Sequence, residues 1–442
     1  MNVNDSDRAP VPVASAAAQG KPHRVPFPPA MEPDFLPPLP PRVYPAQAHS
    51  LLSRGQGAAP LFKALAASGG YLLEDGPGPD SCTVTFGRSA TGNDETVVAM
   101  IDTITHMRRE DLSPFALEQV VSDDAVVHIG AFVLPRTLRT SVGLLVGKNL
   151  DLQLGRDREA WIKASRSTEP LPFSREVLNV NGALSTVVSL PDALPQPFLE
   201  DDLPEGRPGT LHSGQLVSDI LGINIDVWCY APNTCYGQVR NLLIATDADK
   251  LVKGASILGG LDRAHEARAF APTLLLGFAS SNPQLRSDLL GMNPSLGEFI
   301  NSELLPWATS LSIPVPDRSR RVISGASLGG LAAADIVRTH PYLVSKAIVQ
   351  SGSFWWPMDE DGQTGDEELR LWEAVDVDST PAVSFFHEVG TLEGHLLGCN
   401  QKFRDIVRRH GIEIRYREYT GGHGYACWRG GLFDGLVHFF GE

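Results

Sequence analysis

The chain has 442 residues, of which 42% are hydrophobic and 20% charged, and it carries a formal net charge of −15. That length exceeds one ordinary domain and implies two plus extensions. The acidic balance excludes a basic nucleic-acid-binding face, and no apolar run reaches the roughly 18 residues of a membrane span.

Residues 1–57 are rich in proline and alanine, with Pro37-Pro-Leu-Pro-Pro41 as the densest stretch, and are expected to form a disordered or polyproline tail that could present a PxxP motif. The first residues lack a basic segment followed by an apolar one; Asp5 and Asp7 precede a mixed Ala/Pro/Val stretch, so a cytoplasmic protein is expected. Ala14–Ala18 before Gln19 is the one feature that resembles the end of a secretory leader. Cys82, Cys229, Cys235, Cys399 and Cys427 are odd in number and without paired metal spacing, which fits buried or incidental thiols in a reducing compartment.

Over 58–200 the texture changes to short β-rich runs between turn signals: Cys82–Phe86, Thr96–Ile101, Ala125–Ile129 and Ser141–Val146. These predict a smaller antiparallel β-sandwich-like domain. The polar, proline-rich stretch from Arg156 to Pro197 reads as a long connection. From 211 to 442, strands and helices alternate. Strands are expected at Ile225–Tyr230, Asn241–Thr246, Thr273–Phe278, Arg321–Ser324, Lys346–Gln350, Ala382–Phe386 and Glu413–Arg417, with helices near 295–310, 329–340, 396–410 and 428–440. This alternation predicts an α/β fold, a doubly wound, mostly parallel sheet with helices on both faces.

One strand of that sheet runs into Gly325-Ala-Ser327-Leu-Gly329 and then into an alanine-rich helix. A G-x-S-x-G sequence between strand and helix is the pattern of a nucleophile elbow, in which the two glycines leave room for a strained serine and the Leu328 N–H faces the reaction centre as an oxyanion donor. A serine hydroxyl needs a base, and the base needs an acid that fixes its tautomer. Six histidines follow Ser327. His340, His410 and His438 lie at or in helices, and His387 is inside an apolar strand; His395 reads as a loop residue. His423, in Thr420-Gly-Gly-His-Gly424 just after the last predicted strand, occupies the position of the base. For the acid, Glu393 follows the strand ending at Phe386; Glu388 is its main rival, with Asp376 and Asp378 behind both. The second oxyanion donor is expected from Thr246-Asp-Ala-Asp249, at Ala248, where Asp247 and Asp249 could instead be turn acids.

The elbow, Gln350-Ser-Gly-Ser-Phe-Trp-Trp-Pro357, E-x-G-x-x-E at 388–393, Asn400-Gln401 and Gly421-Gly-His-Gly-Tyr-Ala-Cys-Trp-Arg-Gly-Gly-Leu432 together resemble the enterochelin (ferric enterobactin) esterase family, over roughly 220–442 and more weakly over 60–200. The resemblance implies an α/β-hydrolase fold with an immunoglobulin-like N-terminal domain, and a cytoplasmic serine esterase that opens the trilactone of a catecholate siderophore so that iron can be released. It implies Ser327, Glu393 and His423 as nucleophile, acid and base. Arg286 resembles an arginine that holds the anionic substrate, and Trp428 and Arg429 would stand beside the base. The protein would need no cofactor or metal of its own; a small-molecule siderophore, free or ferric, would be its partner, with neither nucleic acid nor membrane involved. Ala248 stands where the family usually has glycine, and the segment before Arg286 is altered, which leaves open a related siderophore, another ester cleaved by a general carboxylesterase or acyltransferase, or a siderophore-binding protein without turnover.

Overall fold

The computed structural model describes residues 36–53, 57–92, 94–122, 125–199, 206–279, 282–358, 364–376 and 381–441. Its first half holds ten strands: β1 (Arg42–Val43), β2 (Tyr71–Asp75), β3 (Ser81–Ser89), β4 (Glu95–Ile101), β5 (Glu118–Ser122), β6 (Ala125–Pro135), β7 (Arg139–Lys148), β8 (Glu169–Pro170), β9 (Val177–Val180) and β10 (Ala183–Ser189). They form two five-stranded antiparallel sheets, one in the order β1-β6-β3-β2 with β5 on β6, the other β4-β7-β10-β9 with β8 on β7. Alternate residues of the long strands point inward, so Val84, Phe86 and Phe132 from one sheet share a core with Val97, Ala99, Val142 and Leu144 from the other.

Two sequence expectations change here. Residues 1–35 of the expected tail lie outside the described residues, but Arg42 and Val43 pair with Phe132 and Ala131 of β6, and Ala46–Leu52 is a helix that buries Ala48 and Leu52 against Leu61 and Leu65. The apolar spacing within Ala-Gln-Ala-His-Ser-Leu-Leu supplies one buried stripe, which outweighs the proline-rich texture before it. The stretch 156–197 is likewise more than a connection. It contains a helix, Arg158–Ser165, N-capped by Asp157, and strands β8–β10, which complete the second sheet. Its strands are short and half-exposed, so they lack the apolar runs that mark buried strands in a sequence.

The second half is one eight-stranded mixed sheet built from β11 (Thr210–Ser218), β12 (Ile223–Ala231), β13 (Asn241–Ala245), β14 (Thr273–Ala279), β15 (Arg321–Ala326), β16 (Lys346–Gln350), β17 (Ser384–Gly390) and β18 (Glu413–Tyr419). The order is β11-β12-β14-β13-β15-β16-β17-β18; the pairs β11–β12 and β12–β14 are antiparallel, and the remaining pairs are parallel. Strands buried on both faces need apolar side chains at consecutive positions. Along β13 and β14, Leu242, Ile244, Leu274 and Leu276 enter the core on one face, while Leu243, Ala245 and Leu275 enter the core on the other. The helix Leu328–Thr339 covers the first face and the helix Tyr425–Phe440 the second. β15 lies inside this sheet, so its C-terminal end opens at the middle of one sheet edge, where ligands of such sheets collect.

Candidate active site

Ser327 directly follows β15 with φ 58° and ψ −123°, and the helix Leu328–Thr339 begins at the next residue. A non-glycine residue with this backbone is strained and persists only when its surroundings fix it. They do so closely. A Cβ on Gly325 would fall 2.1 Å from the Gly329 carbonyl oxygen, and a Cβ on Gly329 would fall 2.3 Å from Thr246 Oγ1, so the turn closes only because both positions lack a side chain. The Ser327 N–H donates to the Gln350 carbonyl at 2.9 Å and the hydroxyl lies 3.3 Å from Ser353 Oγ.

Glu393 is almost fully buried just beyond β17. Its Oε1 accepts from Ser351 Oγ at 2.6 Å and from the Gly390 N–H at 2.7 Å, which leaves Oε2 for His423 Nδ1 at 2.6 Å. With Nδ1 engaged, the proton-accepting nitrogen of His423 is Nε2. Glu388 is also buried, but inside β17 it pairs with Arg417 at 2.7 and 2.9 Å and accepts from Gln350, away from His423. Asp376 lies in the coil after the helix Glu367–Glu373, and Asp378 is outside the described residues. His387 is buried with Nε2 on Asn400 Oδ1 at 2.8 Å; burial holds its pKa down to about 4. His340 and His410 cap helices, and His438 lies in the C-terminal one.

Leu328 and Ala248 are each the first residue of a helix, so their N–H groups have no acceptor within it. Asp247, in the left-handed region at φ 51°, precedes Ala248, and its buried carboxylate takes both Nε and a terminal nitrogen of Arg286 at 2.6 Å. Burial opposes the charge on Arg286, and the Asp247 carboxylate more than offsets it, so the guanidinium stays protonated. Arg286 therefore lines the cleft as half of a fork-shaped ion pair. Trp428 stands beside His423, ring centroids 4.7 Å apart and nearly perpendicular, with its Nε1 donating to Ser351 Oγ at 3.0 Å. Arg429 does not stand with it. One residue further along the helix, about 100° around it, Arg429 is buried in another direction, where it pairs with Glu176 and donates to Gln196 Oε1 at 3.2 Å, both in the N-terminal half.

That half also supplies residues the sequence did not mark. At the end of β4, Thr103 Oγ1 accepts the His423 main-chain N–H at 2.6 Å. Asp102 and His106 face the same site. Burial raises the Asp102 carboxyl to about 6 against the pull of the His423 charge and the Thr103 N–H. His106, open to the cleft yet ringed by protein, is lowered to about 4 by that desolvation, with the charges on Arg109 and His423 adding to it. The polar run Asp102-Thr-Ile-Thr-His106 directly after a strong strand was the available signal. Ser351 and Ser353 belong to the Gln350–Pro357 stretch, whose sequence alone gives them no role.

Ser327, His423, Asp102 and His106 form the common wall of two cavities. One, of about 590 Å³, runs between Trp161, Arg166 and Ser185 of the N-terminal half and Lys250, Arg286 and Tyr425 of the other. The second, of about 360 Å³, is more apolar and is bounded by Met107, Trp355, Met358 and Leu396 together with His395. Among the described residues, no group of three or more His, Cys, Asp or Glu side chains is placed to hold a metal ion.

A strained serine at the head of a central strand, beside a carboxylate–histidine pair, defines a hydrolase-like site on an α/β fold. Residues 230–439 match the esterase family model described as "Putative esterase". Among curated proteins it is similar to the iron(III) salmochelin esterase of Escherichia coli O6:H1, 31% identical over 237 residues, 52% of this chain and 58% of the relative. It is also similar to the iron(III) enterobactin esterase of Dickeya dadantii, 31% identical over 205 residues, 45% of this chain and 47% of the relative. The chain thus matches about half the length of these relatives. Its fold is that of the enterobactin esterase of Shigella flexneri crystallised in the presence of enterobactin: TM-score 0.73 at 22% identity, covering 85% of this chain and 97% of that one.

Proposed function

We propose that the protein is a serine esterase that hydrolyses the ester bonds of a catecholate-siderophore trilactone of the enterobactin or salmochelin kind, free or ferric, and thereby allows iron release inside the cell. The observation that carries this reading is the Glu393 Oε2–His423 Nδ1 contact at 2.6 Å on the shared wall of two cavities that also holds the elbow serine. Ser327 Oγ attacks the ester carbonyl while His423 Nε2 takes its proton, and the Leu328 and Ala248 N–H groups receive the developing oxyanion. The C–O bond then breaks; the departing alkoxide takes the proton from His423, and water, deprotonated by the same nitrogen, releases the acid from Ser327. Glu393 holds the imidazolium throughout. Trp428 packs against the base, and Arg166, Arg286 and Lys250 line the larger cavity, the last two paired with Asp247 and Asp249, so they offer N–H donors to an anionic substrate group rather than a net positive field. Any iron arrives as part of the substrate.

The two antiparallel sheets with one shared core support a β-sandwich of immunoglobulin-like type for the N-terminal domain. A cytoplasmic setting accords with five free thiols, and no helix among the described residues is long and apolar enough to cross a membrane. The test is chromatography with mass detection after incubating the protein, and Ser327→Ala beside it, with ferric and iron-free enterobactin. Linear trimer, dimer or monomer from wild type alone is the expected result. Cleavage of simple p-nitrophenyl esters with the trilactone untouched would move the activity to another ester, and tight binding without any product would make the protein a sequestering one.

A further inference from the structure

The loop that carries His423 is held by the N-terminal sheets as well as by its own half of the chain, where Leu392 N–H and the Tyr419 hydroxyl donate to the Gly421 and Gly422 carbonyls. The Arg139 N–H donates to the Thr420 carbonyl at 3.2 Å, Thr137 and Thr420 hydroxyls meet at 2.9 Å, and the His423 N–H donates to Thr103 Oγ1 at 2.6 Å. The approach at Thr103 is so close that a Cβ on Gly422 would fall 1.9 Å from its Oγ1, and a Cβ on Gly424 would fall 2.2 Å from Asp102 Oδ2. Thr103 is itself an anomaly. It is buried and β-branched, yet it sits at φ 66°, ψ −52°, where such a residue is a genuine outlier. The turn is clamped to hold it there: the Thr103 N–H donates to its neighbour's Asp102 Oδ1 at 2.9 Å, Thr105 Oγ1 accepts from the Ile101 N–H and donates to the Ala99 carbonyl, both at 3.0 Å, and the Met107 N–H closes on the Thr103 carbonyl at 2.9 Å. Strain kept by four local hydrogen bonds, and aimed at the main chain of one catalytic candidate, is the arrangement expected when position matters more than local stability.

We propose that Thr103 is a positioning residue for the general base: its hydroxyl, held by the N-terminal sheet, fixes the His423 backbone so that the imidazole stays on Glu393 Oε2 and faces the cleft wall it shares with Ser327. The proposal rests on the reading of Ser327, Glu393 and His423 given above. It makes the N-terminal sheets part of the machinery rather than only a wall of the cleft. Thr103 touches no reacting atom; it acts through His423.

Thr103→Val keeps the shape and the β-branched strain but removes the acceptor, leaving the His423 N–H unpaired. The expected result is a kcat lower by about 10- to 100-fold with KM changed less than about threefold, as for a small misplacement of a catalytic group. Thr103→Ser, which keeps the hydroxyl, should restore kcat to within about threefold. If the valine variant does not fold, Thr103→Ala, which relieves the β-branched strain, makes the same comparison against Thr103→Ser. A second readout is the rate at which a fluorophosphonate labels Ser327 in the full-length protein, since this needs the base but no particular ester. Slower labelling in Thr103→Val and recovery in Thr103→Ser would support the proposal. Wild-type labelling and kcat in Thr103→Val, or equal losses in both variants, would overturn it while leaving the triad intact. Absence of labelling in the wild type itself would overturn the triad and the proposal together.

Discussion

The Oγ1 of Thr246 occupies the space that a side chain on Gly329 would need: 2.3 Å separates that oxygen from the position of a Cβ. Thr246 directly follows β13, and its hydroxyl donates to the Ser324 carbonyl of β15 at 3.3 Å, so one residue ties the loop carrying a candidate oxyanion donor to the strand that leads into the candidate nucleophile.

Gly329→Ala is expected to cost about 1–3 kcal/mol by overpacking, and Thr246→Ala in the same chain should recover much of it. Gly325→Ala should not be rescued, because there the obstacle includes the Gly329 backbone oxygen at 2.1 Å. Urea unfolding of the two double variants measures the difference; equal rescue would mean that the elbow adapts rather than constrains.

Glu393 and Glu388 separate cleanly by substitution. Glu393→Gln, with the imidazole tautomer no longer fixed, should lower kcat by roughly a thousandfold. Glu388→Gln should leave kcat within about threefold and instead cost about 3 kcal/mol of stability, since it weakens the buried partner of Arg417. Ester turnover and unfolding measured on both variants decide it, and the reverse pattern would make Glu388 the acid.

Arg429 is expected to act on the joint between the two halves. Arg429→Met should cost about 3 kcal/mol by leaving Glu176 without its partner, with KM changed less than about twofold. A large rise in KM at unchanged stability would return Arg429 to the substrate.

Stability should fall in acid. Burial lowers His265 and His387 to about 4, below their unfolded values, so the unfolded chain binds more protons between about pH 6.5 and 4 and stability drops as pH falls through that window, by roughly 2 kcal/mol for each histidine at pH 5. Asp102 has the opposite sign. Its carboxyl is raised to about 6, so its ionisation costs stability as pH rises from about 4 past 6, and Asp102→Asn should stabilise the protein at pH 7 by about 2–3 kcal/mol but not at pH 4. Urea titrations at pH 4, 5, 6 and 7 read both effects, and a flat profile would contradict them.

The C-terminal half is legible in the sequence because its signals are local. Strands buried on both faces write themselves as apolar runs, and every expected strand from Ile225 to Arg417 coincides with β12–β18 within a few residues. The elbow is a five-residue pattern, and Glu393 and His423 each follow a strand end. What is not legible depends on contacts far apart in the chain. β11 and β9 are half-exposed edge strands with no apolar run. The direction in which Arg429 points depends on the packing of the helix Tyr425–Phe440 against the sheets of the first half, and the Thr103–His423 hydrogen bond spans 320 positions. Arg286 could be singled out, but its bidentate pairing with Asp247 appears only when two loops meet.

The glycines beside His423 also record a dependence between the two halves. Positions 422 and 424 are bare because Thr103 and Asp102 already fill the space, so neither half can drift without the other compensating. In a relative whose corresponding loop faces open solvent, a side chain at either position meets no such obstacle. The residues at 422 and 424 are therefore a readable trace of whether a second domain stands against the loop.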